Sequence, residues 1–92
     1  MSAVLERPAR LLGELAEEAA AVLGGGRPAV PVDARFYDDL GFDSVMLMQL
    51  KYRIELRFPE LGELSLAEMV DSLVNCSTLA EYLTELAAEV RP

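Results

Sequence analysis

The spacing of apolar residues predicts a helix over residues 8–23. Apolar side chains recur there every three or four positions and the glutamates lie off that stripe, as expected for a helix that buries one face. Pro8 suits the first helical turn, where its missing N–H has no partner to lose. Gly24 begins a run of three glycines that ends the helix. The buried stripe is predicted to contain Leu11 or Leu12, Leu15, Ala19 and Val22.

A long connection, residues 27–43, follows this helix and contains two prolines. Its apolar residues are too numerous for a free linker, so we expect a packed loop that lies over the helices. Phe36 and Leu40 are four residues apart and predict a short helical turn, and Gly41 allows a tight bend after it. The apolar residues of this connection are Val30, Val32, Phe36 and Leu40.

A second helix is predicted over residues 44–57, with Asp43 or Ser44 as its N-cap and Pro59 as its stop. Two apolar lines run along it. Because a short helix in a small bundle needs only one core line, the second line either docks partners or is buried beneath the long loop. The core line contains Leu47, Leu50, Ile54 and Phe58. The second line contains Val45, Met48 and Tyr52, with Met46 beside it.

Two capping boxes predict the remaining helices. The segment Ser65-Leu66-Ala67-Glu68 opens a short third helix over residues 66–73, and Thr78-Leu79-Ala80-Glu81 opens a fourth over residues 78–90. The apolar positions of the third helix are Leu66, Met69, Val70 and Leu73. Those of the fourth helix are Leu79, Tyr82, Leu83, Leu86 and Val90.

The predicted fold is therefore all-α. It is a four-helix bundle with three main helices, one short third helix and a long first loop, formed by a single domain of residues 1–92. Cys76 falls between the last two helices, where we expect a buried small hydrophobe rather than a reactive thiol.

Composition narrows the possible partners and the compartment. The chain has 92 residues, of which 52% are hydrophobic, and a formal charge of −8. Nucleic acid and anionic lipid would repel this surface at long range, so we expect neither as a partner. The sequence has no apolar run long enough to span a membrane and no signal-peptide pattern. A single cysteine fits a reducing compartment, which predicts a cytoplasmic protein.

The absence of histidine limits the chemistry that this chain can perform. Neither a Ser-His nor a Cys-His catalytic pair is possible, and a zinc site is disfavoured with one cysteine and no histidine. Asp38 and Asp39 lack the later glutamate that a calcium loop requires. We therefore expect neither an enzyme nor a metal site.

One segment resembles a known family. Phe36-Tyr37-Asp38-Asp39-Leu40-Gly41-Phe42-Asp43-Ser44-Val45, followed by Leu50 and Ile54, is similar to the attachment signature of acyl carrier proteins. The resemblance continues to Leu79-Ala80-Glu81-Tyr82-Leu83, which looks like the start of that family's last helix. The Gly-Phe-Asp-Ser form looks more like the carriers of polyketide synthases than like peptidyl carriers, which more often have Gly-Gly before their serine.

The resemblance implies a role for Ser44 as the residue that carries 4′-phosphopantetheine, transferred from coenzyme A by a phosphopantetheinyl transferase. The thiol of that arm would hold acyl groups as thioesters for a ketosynthase, an acyltransferase or other enzymes of polyketide and antibiotic biosynthesis. Asp43 would cap the helix or help to position the transferase, and the carrier is expected to be monomeric. Taken without this resemblance, Ser44 would be an ordinary helix cap.

The acyl carrier family includes the bacterial fatty-acid carriers, whose second helix is acidic and serves as a recognition helix. The predicted second helix of this chain differs from it in charge. It has one glutamate against three cations, and Val45 stands where the family usually has Leu. We expect Arg53 and Arg57 to form a solvated face rather than to meet a partner's acids. Two alternatives remain, a peptidyl carrier of a nonribosomal peptide synthetase and a helical interaction module that carries nothing. Docking is expected to use Val45, Met46, Met48, Gln49 and Tyr52.

Overall fold

A computed structural model describes residues 7–90 of the protein, and this range contains four α-helices and two short 3-10 turns. No strand occurs in that range, which confirms the all-α prediction. The predicted domain, residues 1–92, includes ends that lie outside the described residues, as does the side chain of Val90. The helices are α1 (Pro8–Leu23), α2 (Ser44–Arg57), α3 (Leu66–Met69) and α4 (Cys76–Val90), and the 3-10 turns are Pro59–Leu61 and Val70–Ser72.

Local signals explain where α1 and α2 begin and end. Pro8 occupies the first turn of α1, and Gly24 closes that helix with φ +75° and an N–H that donates to the Ala20 carbonyl at 3.0 Å. Asp43 is the N-cap of α2, because its carboxylate accepts the Met46 N–H at 2.8 Å. Pro59 then opens the 3-10 turn that follows α2.

The last two helices differ from their predicted boundaries. The third helix is α-helical only from Leu66 to Met69, and a 3-10 turn continues it. The predicted start of the fourth helix at Thr78 is wrong, because α4 begins at Cys76. Asn75 takes the capping role: its side-chain oxygen accepts the Thr78 N–H at 2.9 Å, and its own N–H donates to the Thr78 hydroxyl at 3.2 Å. Thr78 is therefore the last of the four residues of a capping box, at position N3, rather than its first.

The core lies where α1 packs against both α2 and α4. Leu11, rather than Leu12, is the fully buried residue near the start of α1. Cys76 is also fully buried, as expected, and this burial raises the pKa of its thiol to about 11. The fully buried leucines and isoleucine of the three long helices, each at most 1% exposed, are Leu11, Leu15, Leu50, Ile54, Leu79 and Leu83.

The long first loop is packed against the helices, as predicted. The Val30 N–H donates to the Ala16 carbonyl of α1 at 3.2 Å, and the Phe36 N–H donates to the Val74 carbonyl at 2.8 Å. Phe36 is fully buried and its ring lies 5.2 Å from that of Phe42, a residue that the sequence pattern did not place in the core. Hydrogen bonds and buried rings therefore tie the loop to the rest of the fold up to the residue before the α2 cap.

Candidate functional site

Ser44 is the first residue of α2 and lies exposed at the helix N-terminus. The cap is Asp43, which has an extended backbone and binds the Met46 N–H through its side chain. The alternative in which Ser44 is the helix cap is therefore wrong. Within residues 7–90 the Ser44 hydroxyl has no hydrogen-bond partner, so it is available for reaction with another molecule.

The loop before α2 fixes the position of Ser44. The Phe42 N–H donates to the Phe36 carbonyl at 2.8 Å, which closes the turn of residues 36–42 over two buried rings. Gly41 has φ +72°, a conformation that L-residues other than glycine rarely adopt. Asp39 stabilises this turn, because its carboxylate accepts a hydrogen bond from the backbone N–H of Arg35 at 2.8 Å. Ser44 thus follows a turn that hydrogen bonds and the packing of two buried rings hold against the core.

The electrostatic environment of Ser44 suits a phosphate ester. The first N–H groups of a helix have no partner inside the helix and point toward its N-terminus, where the helix dipole also favours negative charge. One of these groups, the Met46 N–H, donates its hydrogen bond to the Asp43 carboxylate. The chain contains no histidine that could activate the hydroxyl. Residues 7–90 also hold no cluster of three or more side chains suited to a metal ion.

The second apolar line of α2 faces solvent. Val45 is 63% exposed, Met48 is 40% exposed and Tyr52 is 51% exposed, while Met46 is half-buried against the core and Gln49 is exposed. The alternative in which the long loop buries this line is therefore wrong. By contrast, the predicted core line of Leu47, Leu50, Ile54 and Phe58 is buried, with each side chain at most 4% exposed.

Sequence reasoning missed one member of this surface. Leu56 is 83% exposed, the most exposed large hydrophobic residue among those described. It stands four residues after Tyr52 and so continues the same helical line. This spacing is the signal that could have identified it. We call Val45, Met48, Tyr52 and Leu56 the apolar line.

The arginines of α2 pair with glutamates of α1, and the solvated face that was expected of them is found only in part, since the side chain of Arg53 is 47% exposed and that of Arg57 is 30% exposed. Arg53 Nε lies 2.6 Å from a carboxylate oxygen of Glu18, and Arg57 Nε lies 2.7 Å from one of Glu14. Arg57 also pairs with Glu18, and with Glu17 at 3.3 Å. We call this group the α1–α2 ion cluster.

The third cation of α2 is also paired within the chain. Lys51 Nζ lies 2.9 Å from Glu55, and the same carboxylate oxygen accepts the Leu64 N–H at 2.7 Å. The hydrogen bond with Glu55 raises the pKa of Lys51. The hydrogen bonds from Lys51 and then from Leu64 lower the pKa of Glu55. This pair ties α2 to the loop that leads to α3.

Comparison with known proteins gives one match. The family model described as "phosphopantetheine attachment site" matches residues 13–86, which is most of the chain. No curated protein and no solved structure matches. In residues 7–90, no helix combines the length and the apolar character needed to cross a lipid bilayer. The matched range includes the loop, the junction at Ser44 and all four helices in whole or in part.

Proposed function

The chain belongs to the phosphopantetheine attachment-site family, and on that premise we propose that Ser44 is the residue that carries the 4′-phosphopantetheine arm. Domains of this family are the sites of covalent 4′-phosphopantetheine attachment and generally act as carriers rather than catalysts. The observation that supports Ser44 is its exposed, unbonded hydroxyl at the N-terminus of α2, next to a cap supplied by Asp43.

The loading reaction needs little from this chain beyond the hydroxyl. The Ser44 oxygen attacks the phosphorus of coenzyme A that bears the pantetheine group, and the new P–O bond replaces the bond to the second phosphate. The leaving group is adenosine 3′,5′-bisphosphate, and the hydroxyl proton passes to a base of the magnesium-dependent phosphopantetheinyl transferase. The amides at the start of α2 then face the phosphodiester, whose negative charge the helix dipole stabilises.

The cargo is proposed to be acyl or polyketide intermediates, held as thioesters on the terminal thiol of the arm. The Gly41-Phe42-Asp43-Ser44 sequence favours this type over a peptidyl carrier. A ketosynthase, an acyltransferase or other biosynthetic enzymes would then act on the cargo of a monomeric, cytoplasmic carrier domain of residues 1–92. Partner docking is assigned to Val45, Met46, Met48, Gln49 and Tyr52, of which only Met46 is not exposed.

Intact mass spectrometry tests the attachment. The protein is incubated with coenzyme A and a broad-specificity phosphopantetheinyl transferase, and we expect wild type to gain the mass of one phosphopantetheine. Ser44→Ala should gain none, whereas Ser72→Ala, which removes a hydroxyl away from the junction, should load like wild type. Equal loading of Ser44→Ala, or no loading of wild type, would contradict the proposal.

A loading assay separates the two types of carrier. The phosphopantetheine form is offered either malonyl and other acyl donors with an acyltransferase, or amino acids with an adenylating enzyme. We expect thioester formation with the acyl donors. Thioester formation with amino acids alone would show a peptidyl carrier.

A further inference from the structure

A groove of about 550 Å³ lies between the start of α1 and one face of α4, and we call it the α1–α4 groove. Its floor is apolar: Leu12 is half-buried against the core, Ala80 is 5% exposed, and Pro8 lies beside them. The Thr84 hydroxyl donates to the Ala80 carbonyl at 2.8 Å, so this polar group of the lining already has a partner. The groove is therefore suited to an apolar side chain, and its volume is that of a site for a short segment.

Two glutamates of α4 also line the α1–α4 groove. Glu81 and Glu85 are exposed and four residues apart, so they lie one turn from each other on the same face of the helix. Within residues 7–90 neither carboxylate forms an ion pair, and Arg7, the cation that precedes α1, pairs with neither of them. Like charges at this spacing destabilise a helix. A cation supplied by another molecule would relieve this repulsion.

The surroundings of the groove supply no cation for these glutamates. Residues 58–90 contain seven acidic residues and no lysine or arginine. Arg10 is the only basic residue within α1, and it is paired with Glu14 at 3.8 Å. A second copy of this chain, with its net charge of −8, would be repelled by this face. The charge therefore favours a basic occupant from another protein.

The α1–α4 groove lies away from the proposed attachment residue. Helices α1 and α2 run antiparallel, because Glu14 pairs with Arg57 and the later Glu18 pairs with an earlier arginine. Arg57 is thirteen residues beyond Ser44, which is about 20 Å along a helix axis. The α1 side of the groove precedes Glu14, so it lies at least this far from Ser44 along the helices. A partner held in the groove leaves Ser44 and the apolar line free.

We propose that the α1–α4 groove is a docking site for a short basic segment of a partner protein, in which apolar side chains lie between lysines or arginines four residues apart. The apolar side chains occupy the floor, and the cations pair with Glu81 and Glu85. An acidic or uncharged segment leaves both glutamates without a cation, so charge complementarity selects the basic one. A contact this far from Ser44 keeps the carrier at a high effective concentration near its partner while the proposed arm stays free.

Fluorescence anisotropy with a basic peptide tests this proposal. The probe is a fluorescein-labelled, amidated peptide of sequence Lys-Ala-Leu-Leu-Lys-Ala-Leu-Lys, and its Kd for the full chain is measured at about 50 mM NaCl, where exposed charges are little screened. We expect the double variant Glu81→Gln and Glu85→Gln to weaken binding by about three- to tenfold, because two exposed ion pairs are lost. A peptide with serine in place of each leucine should bind at least about tenfold more weakly, because it buries no apolar area in the groove.

A second double variant controls for net charge. Glu63→Gln with Asp71→Asn removes the same charge from exposed positions outside the groove, and its Kd should stay within about twofold of wild type. Glutamine and glutamate have similar helix propensities, so we expect the α4 variant to remain folded, which circular dichroism checks. Equal weakening in the two double variants, or equal binding of the serine peptide, would overturn the proposal.

Amide chemical shifts show where the peptide binds. We expect peptide addition to change the shifts of Leu12 and Ala80 and to leave those of Val45 and Met48 unchanged. Changes confined to α2, or self-association of the wild type in sedimentation runs, would overturn the proposal. Loading of Ser44 is a separate readout, and the α4 double variant should gain phosphopantetheine like wild type. If wild type binds the peptide in the groove but is not loaded, the proposed function fails and the groove assignment stands.

Discussion

Replacement of Arg57 tests whether the α1–α2 ion cluster stabilises the fold. Arg57 contacts three glutamates of α1, with Nε 2.7 Å from Glu14 and Nη2 3.3 Å from Glu17, and it also pairs with Glu18. A single exposed ion pair contributes about 0.2–1 kcal/mol. The Arg57→Gln change removes three pairs at once and leaves the poorly hydrated carboxylates of Glu14 and Glu18 with fewer cationic neighbours.

The expected loss is about 1–2 kcal/mol in the free energy of unfolding, which corresponds to about 5–15 °C in Tm for a domain of this size. Urea denaturation followed by circular dichroism measures it. The matched control is Arg10→Gln, because Arg10 has only one pair in α1, at 3.8 Å from Glu14, and its side chain is 64% exposed. That control should lose less than about 0.5 kcal/mol. If both variants unfold at the same urea concentration, the ion cluster does not stabilise the junction of the two helices.

Three further predictions concern the loop, the apolar line and the Lys51 pair. Phe36→Ala should lower the free energy of unfolding by about 3–5 kcal/mol in urea titrations, because it empties a fully buried ring site; a loss below about 1 kcal/mol would show that the loop does not depend on this ring. Met48→Glu should remain folded by circular dichroism but load more slowly than Ala88→Glu, and a loss of helicity would instead place Met48 in the core. Glu55 has a lowered pKa, so its contribution to stability is complete above its ordinary value of 4.5 and is lost as the pH falls through its folded value. Glu55→Gln should therefore flatten the fall in urea midpoint below about pH 4.5, and an unchanged pH profile would contradict this reasoning.

Local signals in the sequence were enough to predict most of the fold. Pro8, Gly24 and Asp43 each act through the backbone of residues within four positions, so their effect on helix ends can be seen in the sequence alone. The start of α4 was mispredicted because two capping boxes overlap there. Asn75 and Thr78 are both good caps, and only the reciprocal hydrogen bonds between them show which one begins the helix.

The features that could not be predicted from the sequence depend on contacts between residues that are far apart along the chain. Arg53 and Glu18 are 35 positions apart, and their pairing requires that α1 and α2 pack with these faces together. Spacing along α2 predicted the apolar line, and the same spacing extends it to Leu56, but only the packed structure shows that this leucine is exposed. The choice of Ser44 as the candidate site came from the resemblance of its motif to a known family, and the structure adds that Asp43, not Ser44, caps the helix.

The α1–α2 ion cluster has a consequence for the engineering of hybrid carriers. If a hybrid were made by exchange of a single helix, α2 would be the candidate because it carries the apolar line. A graft of α2 alone would bring Arg53 and Arg57 without their glutamates and would create a basic patch that this protein does not present. The smallest unit that can be exchanged with its surface charge intact is α1 and α2 together, with the loop that joins them.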